Sequence, residues 1–384
     1  MNQEALPLDD QLRTPTQDSR ARAIRRRRNT FRTHPAPAEP MGKTPAAWSI
    51  RSGLEQTVPQ ELADIVAWFE NEPDARERFR WALRDSLDEL LDGQRTGRWA
   101  YQHLSKTEKT YLGTAVEVNL TKEFEFANGH DLDWRVADRD VDCKFSKDLG
   151  GWEIPMEMYR CADHEGRQGK ADHPALLTWI NDDTSTWAAG LVKITDERLR
   201  WRTDKNTGDV GRAYNRDNKR RLADASARDV YWLWGGLQID LPRNLLLHMD
   251  PAARDRIFSF PRSGQARVDQ LFREVRDSIV SRQMVLTVAQ QDDAPKRARD
   301  ARLNLCDEGL LVLGHQESHP HIAKALQLPV PVKGEWIATR VVPVEATDSR
   351  PFFSVAEQRW ARAHADEPVV PAPKLPQRLD VFWT

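Results

Sequence analysis

Two short runs of alternating apolar and polar residues, 131–136 and 141–146, constrain this chain more than any other feature. Side chains along a β-strand point alternately to the two faces of a sheet, so each run predicts a short strand. The apolar positions of both runs then share one buried face, and the other face displays Asp133, Asp142 and Lys144. Two carboxylates beside an amine suit a hard divalent cation and an activated water, which together can cleave a phosphodiester.

The Asp-x-Lys pattern is weak by itself, because a second instance, Asp217-Asn-Lys219, lies in a polar stretch that is typical of solvated surface. Asp142 and Lys144 differ because they are set in a strand pattern. Asp133 lies on the candidate partner strand, and Glu117 lies on the preceding predicted helix. This constellation resembles the PD-(D/E)xK motif of a large superfamily of metal-dependent nucleases. On the pattern alone, a hairpin with ordinary surface charges remains an alternative.

The first 55 residues are rich in Pro, Thr and Arg and poor in large apolar residues, which predicts a disordered N-terminal arm. The arm is strongly basic, with arginines at Arg20, Arg22, Arg25, Arg26, Arg27, Arg28 and Arg32. We consider two interpretations. The arm could be a non-specific phosphate-binding tail, or it could be an upstream extension with Met41 as the true start.

The rest of the chain predicts two folded domains. Residues 56–234 combine helical and strand patterns, with polar loops at 160–174 and 199–213. Residues 235–243 contain two glycines and a proline and predict a linker. Residues 244–384 begin a second domain with an amphipathic helix at 265–281, a basic helical segment and further short strands. That order suits a helix-turn-helix or winged DNA-binding module.

Composition excludes several classes of protein. The 57 basic and 59 acidic residues balance, which argues against a chain that coats nucleic acid indiscriminately but allows a local basic groove. No apolar run is long enough to span a bilayer, and the N-terminus lacks the apolar core of a signal peptide. The three scattered cysteines predict neither a zinc site nor a disulfide framework and fit a reducing cytoplasm.

Beyond the single motif, the chain resembles restriction endonucleases of the NaeI family in order over roughly residues 75 to 345. The basic arm and the two polar loops are additions to this pattern. The stretches that carry the resemblance are 87–99, 106–110, Gly113, Glu117, Asn119, 141–146, 189–193, 217–222, 244–248, 264–267, 287–293 and 313–316.

The resemblance implies an α/β fold with a restriction-endonuclease-like mixed sheet flanked by helices, followed by a C-terminal helix-turn-helix domain of the winged-helix or CAP-like kind. It also implies a homodimeric type II restriction enzyme of the bacterial cytoplasm that cuts double-stranded DNA at a GC-rich, GCCGGC-like palindrome. A second copy of the site, bound by the C-terminal domain, would act as the activating effector. A cognate DNA methyltransferase would be the functional partner, and no membrane is implicated.

The family's catalytic residues correspond, by this resemblance, to Glu117, Asp133, Asp142 and Lys144 without substitution. Asp133 and Asp142 would hold Mg²⁺ with the carbonyl group of Cys143, while Glu117 would complete the ligand shell or orient the attacking water. Lys144 would lower the pKa of that water or stabilise the charge that develops on the phosphate.

Basic residues near both predicted sites are candidate DNA contacts. The resemblance favours DNA contact for those around the catalytic helix, whereas those in the second domain are equally compatible with a solvated helix face. Two alternative functions remain open: a repair-type nuclease with the same core but without strict sequence specificity, and a non-catalytic DNA-binding regulator. The candidate contacts are Arg95, Arg98, Lys106 and Lys109 around the catalytic helix, and Lys296, Arg297, Arg299 and Arg302 in the second domain.

Overall fold

The computed structural model describes residues 31–161, 169–259 and 263–375. Within them, the N-terminal half begins with four α-helices, and ten short strands follow. The helices are α1 (Ala63–Asn71), α2 (Ala75–Leu91), α3 (Gly93–Thr96) and α4 (Lys106–Phe124). The strands are β1 (Ala127–Asn128), β2 (Trp134–Val136), β3 (Arg139–Ser146), β4 (Glu153–Ile154), β5 (Pro174–Asn181), β6 (Thr186–Lys193), β7 (Trp201–Thr203), β8 (Val210–Arg212), β9 (Arg220–Arg221) and β10 (Tyr231–Trp232).

Local sequence signals explain where helix α4 begins. The Ser105 hydroxyl accepts from the backbone N–H of Glu108, and the Glu108 carboxylate accepts from the backbone N–H of Ser105. This capping box satisfies two of the backbone donors that a helix N-terminus leaves unpaired. Leu112, Val116 and Leu120 recur along one side of α4 and are buried. The helix is therefore held at a fixed register against the sheet.

The central sheet is mixed and mostly antiparallel, with the strand order β1-β2-β3-β5-β6-β10. Only β3 and β5 run parallel, and their register pairs Asp142 with Ala175 and Lys144 with Leu177. Every residue of β5 is buried because both faces of the sheet are covered. Phe69, Phe79, Val116 and Leu176 are among the residues that pack on the helical face. A mixed sheet flanked by helices is thus the fold of this half.

The opposite face of the sheet is covered by a second apolar cluster that includes Trp48 and Trp152. The two indoles pack edge to face with ring centroids 5.4 Å apart, and Trp48 donates from Nε1 to Asp224. The prediction of a disordered arm over 1–55 is therefore wrong for residues 31–55, which are held by contacts with both halves of the molecule. Residues 1–30, with the arginines from Arg20 to Arg28, lie outside the described residues.

The predicted loop at 199–213 is also wrong, because it contains the antiparallel hairpin of β7 and β8. The hairpin is held at its base by Arg220, whose fully buried guanidinium pairs with Asp196 and stacks over Trp201 at 5.1 Å. A polar sequence can form strands here because one buried arginine organises the aromatic and acidic groups around it. The other predicted loop, 160–174, lies partly outside the described residues and leads into β5 at Pro174.

The C-terminal half combines helices with a second, antiparallel sheet in the order β11-β13-β15-β14, with β12 also paired to β13. Its helices are α5 (Leu245–His248), α6 (Pro251–Phe258), α7 (Gly264–Glu274), α8 (Arg282–Ala289), α9 (Ala294–Asn304) and α10 (His319–Ala325). Its strands are β11 (Ile279–Ser281), β12 (Leu310–Leu313), β13 (Glu335–Val344), β14 (Phe352–Val355) and β15 (Gln358–Arg362).

The helix predicted over 265–281 is too long. It ends at Glu274, because Val275 adopts an extended conformation and Ile279–Ser281 pair with β13 as strand β11. In the described part of the chain, no helix combines the length and apolarity needed to cross a membrane.

The two halves share an apolar core instead of meeting only through a linker. Trp99 and Ala100 belong to the same buried cluster as Leu246 and Val285 of the C-terminal half. Helix α3 packs against α8 so closely that a Cβ on Gly93 would lie 2.1 Å from the Thr287 hydroxyl. Only glycine permits this approach of one half to the other.

A buried polar network lies beside this shared core. Arg84 donates to Asp182 and to Asp88, at 2.6 Å in each case, and Arg84 and Asp182 are almost fully buried. Burial raises the pKa of Asp88 to about 6 against the opposing effect of Arg84. Asn244, from the C-terminal half, donates to both Asp182 and the carbonyl oxygen of Trp99. The network therefore joins α2, the end of β5 and the start of the second half.

Replacing Arg84 by methionine should lower the free energy of unfolding by about 3–5 kcal/mol, because the Asp182 carboxylate is left buried without its cation. Urea denaturation followed by far-ultraviolet circular dichroism measures the change. The matched control is Arg95→Met, since that side chain is 74% exposed and its loss should cost no more than about 0.5 kcal/mol. Equal stabilities of the two variants would contradict the assigned role of Arg84.

His319 should make stability depend on pH. Its Nδ1 accepts from the backbone N–H of Gly314, and burial lowers its pKa to about 4, with Arg302 adding to the effect. The unfolded chain binds the proton near pH 6.5 and the folded chain does not, so stability is lost as pH falls from 6.5 towards 4. Between pH 7 and pH 5 the loss should be about 2 kcal/mol.

The variant His319→Gln lacks this titration. The wild type should have a larger free energy of unfolding than the variant at pH 7. This difference, measured by urea denaturation, should decrease by about 2 kcal/mol on going from pH 7 to pH 5. A gap that stays constant over this range would rule out a neutral, buried His319.

Candidate active site

The catalytic candidates are arranged by the hairpin of β2 and β3. Ala137 and Asp138 form its two-residue turn with φ angles of 48° and 61°, the left-handed pair that matches the twist of a tight hairpin. The turn sets a register in which Trp134 pairs with Val141. Asp142 and Lys144 then lie on one side of β3, as the alternation in the sequence predicts.

Three oxygen atoms surround the ammonium group of Lys144. It forms an ion pair with Asp142 Oδ2, lies 4.0 Å from Asp133 Oδ2, and donates to the carbonyl oxygen of Cys143 at 3.3 Å. Asp133 is fixed in turn, because its Oδ2 accepts from the backbone N–H of Cys143 at 3.1 Å. Asp133, Asp142, Cys143 and Lys144 are therefore brought together.

Burial sets the charge states of the pair. Asp142 is 4% exposed, and burial raises the pKa of its carboxyl to about 8, with Asp133 adding to the effect and Lys144 opposing it. For Lys144, burial favours the neutral amine, but the carboxylates of Asp142 and Asp133 outweigh it and raise its pKa. Lys144 therefore keeps its proton. A second cation bound beside Asp142 would lower the pKa of that carboxyl and favour its ionised form.

Glu117 belongs to the same charged cluster. It follows the buried Val116 on α4, so the packing of that helix against the sheet carries the carboxylate to the edge of the site. Glu117 is half-buried, and burial raises its pKa; the charge of Asp133 adds to this rise and that of Lys144 opposes it. The charges of both residues act on Glu117, which is therefore the fourth charged side chain of the cluster.

The donor set suits a hard divalent cation that keeps most of its own water. Asp142 Oδ2 is buried and accepts no well-directed hydrogen bond. The carboxylates of Asp133 and Asp142 and the carbonyl oxygen of Cys143 already surround one positive charge, the Lys144 ammonium. As the side chains stand, no group of three or more His, Cys, Asp or Glu side chains in the described residues is arranged to hold a metal. Mg²⁺ needs only one or two protein carboxylates, so this sparse set fits it.

Two of the predicted DNA contacts, Arg98 and Arg302, bind partners within the protein. Arg98 is 13% exposed and forms a two-pronged pair with Glu108 while donating to the carbonyl oxygens of Leu90 and Leu91. Arg302 donates to the carbonyl oxygen of Val312 and is largely buried. Both side chains therefore hold elements of the fold together, and their contact with DNA stays a prediction.

The other six candidates lie at the surface to different degrees. Arg95, Lys106, Lys296 and Arg299 are exposed, although Arg95 pairs with Asp92 and Lys296 pairs with Asp300. Lys109 is half-buried over the ring of Tyr101, and Arg297 pairs with Asp293. Arg299 is exposed, and no carboxylate of the described residues pairs with it.

A cleft of about 890 Å³ lies between the two halves, and sequence reasoning missed it. Trp81 and Arg84 line one side of it, and Arg282, Arg299 and Lys333 line the other. Trp81 and Lys333 are 252 positions apart, so no local pattern could have predicted the cleft. The catalytic candidates are not among its lining residues.

Two comparisons with known proteins show which family the chain resembles. The family model for restriction endonuclease NaeI matches residues 64–371. A curated relative, the type II restriction enzyme NaeI of Lentzea aerocolonigenes, is 43% identical over 318 residues, which cover 80% of this chain and 91% of the relative. Both matches extend over most of the chain and include all four catalytic candidates. The chain therefore belongs to the NaeI family of restriction endonucleases.

Proposed function

We propose that this restriction endonuclease hydrolyses phosphodiesters of double-stranded DNA at the cluster of Glu117, Asp133, Asp142 and Lys144, with Mg²⁺ as its cofactor. One observation carries the proposal. The Lys144 ammonium is surrounded by oxygen atoms of Asp142, Asp133 and Cys143 on a strand whose neighbours are buried. A solvated hairpin with ordinary surface charges would not bury Asp142 beside two further ionisable groups.

The roles of the residues follow from their environments. Asp142, Asp133 and the Cys143 carbonyl group would hold Mg²⁺, which as a Lewis acid would neutralise charge on the phosphate. Lys144 keeps its proton, so its ammonium can stabilise the negative charge that develops on a phosphate oxygen. Glu117, with its raised pKa, is suited to orient the attacking water and to accept its proton.

Asp142→Asn and Lys144→Met should each lower the rate of plasmid cleavage in Mg²⁺ at least about 100-fold, because each removes a charge at the reacting phosphate. DNA binding, measured by fluorescence anisotropy without Mg²⁺, should remain detectable. The matched controls are Asp138→Asn, on the turn of the same hairpin and 96% exposed, and Lys122→Met, exposed on α4. Rapid cleavage by both site variants would reject the assigned centre.

We also propose that the C-terminal half contains a winged helix-turn-helix that binds the second DNA copy. The elements α7, β11, α8, α9 and β12 follow one another in the chain, and β13 comes after the intervening helix α10. In the sheet, β13 lies between β11 and β12. Helices α8 and α9 are joined by the four residues 290–293, the short connection of a helix-turn-helix. By this reading α9 is the recognition helix, and Lys296 and Arg299 are its exposed contacts.

Arg299→Gln should raise, about tenfold, the concentration of a site-bearing oligonucleotide that is needed to stimulate cleavage of a one-site plasmid. The reason is the loss of a charged donor that contacts the effector DNA, typically worth about 1–3 kcal/mol. Lys205→Gln, an exposed charge on the hairpin of β7 and β8, is the control. An unchanged stimulation curve for Arg299→Gln would contradict its placement at the effector site.

The remaining details rest on the resemblance to the family: a GC-rich, GCCGGC-like palindrome as the target, a homodimer and a partner methyltransferase. Sequencing the ends of plasmid fragments produced in Mg²⁺ tests the target directly. Ends that share one palindrome support a restriction enzyme, whereas ends without a common sequence would favour the repair-type nuclease.

A further inference from the structure

Residues 31–43, which we call the N-terminal strap, contact both halves of the molecule. The strap contains no helix or strand, and it is held instead by its own anchoring contacts. Ordering an irregular segment costs about 1–2 kcal/mol per residue in backbone entropy, so an ordered strap needs specific contacts along its length. Those contacts divide into an upstream group on the C-terminal half and a downstream group on the N-terminal half.

The upstream contacts attach the strap to the proposed helix-turn-helix. Phe31 packs at 6.4 Å from the ring of Phe258, and the guanidinium carbon of Arg267 lies 3.9 Å from the centroid of Phe31. The backbone N–H of Arg32 donates to Gln290 Oε1 at 3.0 Å, and Gln290 Nε2 donates back to the Arg32 carbonyl oxygen at 2.7 Å. Gln290 is the first residue of the turn between α8 and α9.

The downstream contacts attach the strap to the N-terminal half. His34 Nε2 lies 2.9 Å from the carbonyl oxygen of Thr96, and its ring lies 4.8 Å from that of His103. His103 Nε2 in turn lies 2.7 Å from the carbonyl oxygen of Pro35. The backbone N–H of Met41 donates to Asp183. The position of Arg32 is therefore defined relative to both halves.

The junction is tight at the point where three segments meet. Gly97 has a φ of 69°, and a Cβ at this position would lie 2.7 Å from Gln290 Nε2 and 2.8 Å from the Arg32 carbonyl oxygen. A glycine is thus required both by the backbone conformation and by the closeness of the strap. Arg32 is held at this junction through its backbone alone, which leaves its side chain available.

We propose that Arg32 is a phosphate-binding residue for the DNA duplex held by the helix-turn-helix, an inference that rests on the proposed function of that module. In such modules the recognition helix enters the major groove with its N-terminal residues, so the turn that precedes it lies close to the DNA backbone. Arg32 is exposed at this turn, and none of the carboxylates in the described residues pairs with it. A fixed backbone with a free guanidinium matches the planar, two-pronged recognition of a phosphate.

The residues that precede the strap in the sequence carry further positive charge. Arg25, Arg26, Arg27 and Arg28 precede Phe31 by three to six residues, and a fully extended chain spans at most about 3.6 Å per residue. Chain length limits the Cα atoms of these four arginines to within about 22 Å of the Phe31 Cα atom. Their own structure lies outside the described residues, and we test the effect of their charge with a variant.

The test measures the affinity for a fluorescent 40-base-pair duplex as a function of KCl, with the full chain and without Mg²⁺. One lost phosphate contact lowers the slope of log K against log salt by about 0.9, so a fourfold rise in salt should weaken Arg32→Gln about 3.5-fold less than the wild type. The substitution leaves both backbone hydrogen bonds to Gln290 available. Arg216→Gln, which removes a 92% exposed charge elsewhere, should reproduce the wild-type slope.

A second variant tests whether the Arg32 charge must be held in position and not only be present. Gln290→Ala retains every charge but removes the two hydrogen bonds that hold Arg32, so it should lower the salt slope in the same direction as Arg32→Gln. Replacing Arg25, Arg26, Arg27 and Arg28 together by glutamine should lower the slope further, by up to about 3.6. Identical slopes for the wild type, Arg32→Gln and Gln290→Ala would overturn the proposal.

The location of the contact is tested by effector stimulation. Arg32→Gln should raise the oligonucleotide concentration needed to stimulate cleavage, whereas Arg216→Gln should not. A changed slope with unchanged stimulation would assign Arg32 to the substrate duplex and reject the proposal as stated. A wild-type chain that does not cleave DNA in Mg²⁺, or is not stimulated, would refute the proposed function. In that case the salt slopes alone decide whether Arg32 binds phosphate.

Discussion

Strand β3 is the element on which the candidate site depends. The side chains of Asp142 and Lys144 lie on one side of this strand, where Asp142 is 4% exposed and Lys144 is partly buried. A buried carboxylate and a partly buried ammonium each carry a desolvation cost, and each lowers the cost of the other. The pairing therefore favours one arrangement of the hairpin, and the charge that stabilises Asp142 can be supplied by Lys144 or by an added cation.

The parts of the structure that follow from short-range signals were predictable from the sequence. Alternation over 131–146 predicted β2 and β3, and the Ser105 and Glu108 pair predicted the start of α4. The convergence of Asp133, Asp142 and Lys144 followed from the two-residue period of a strand. The approach of Glu117 needed the additional step of packing α4 on the sheet, which the family resemblance supplied.

The parts that depend on distant partners were not predictable from local patterns. Arg98 and Arg302 have the composition of DNA contacts, and only their acceptors, Glu108 and the carbonyl oxygen of Val312, reveal a structural role. The hairpin of β7 and β8 depends on the buried Arg220. The order of segment 31–55 could not be predicted because its sequence has no helical or strand period. Side chains and backbone groups far along the chain hold it in place.

The shared core between the halves limits how the protein can be divided. Excising the nuclease half at the glycine-containing linker would expose the indole of Trp99 and remove the partner of α3 at Thr287. Asp182 would also lose the amide of Asn244. A chimaera that joins this nuclease half to another DNA-binding domain therefore requires a redesign of residues 93–100 as well. The reason is that the contacts of the nuclease half do not end where the linker begins.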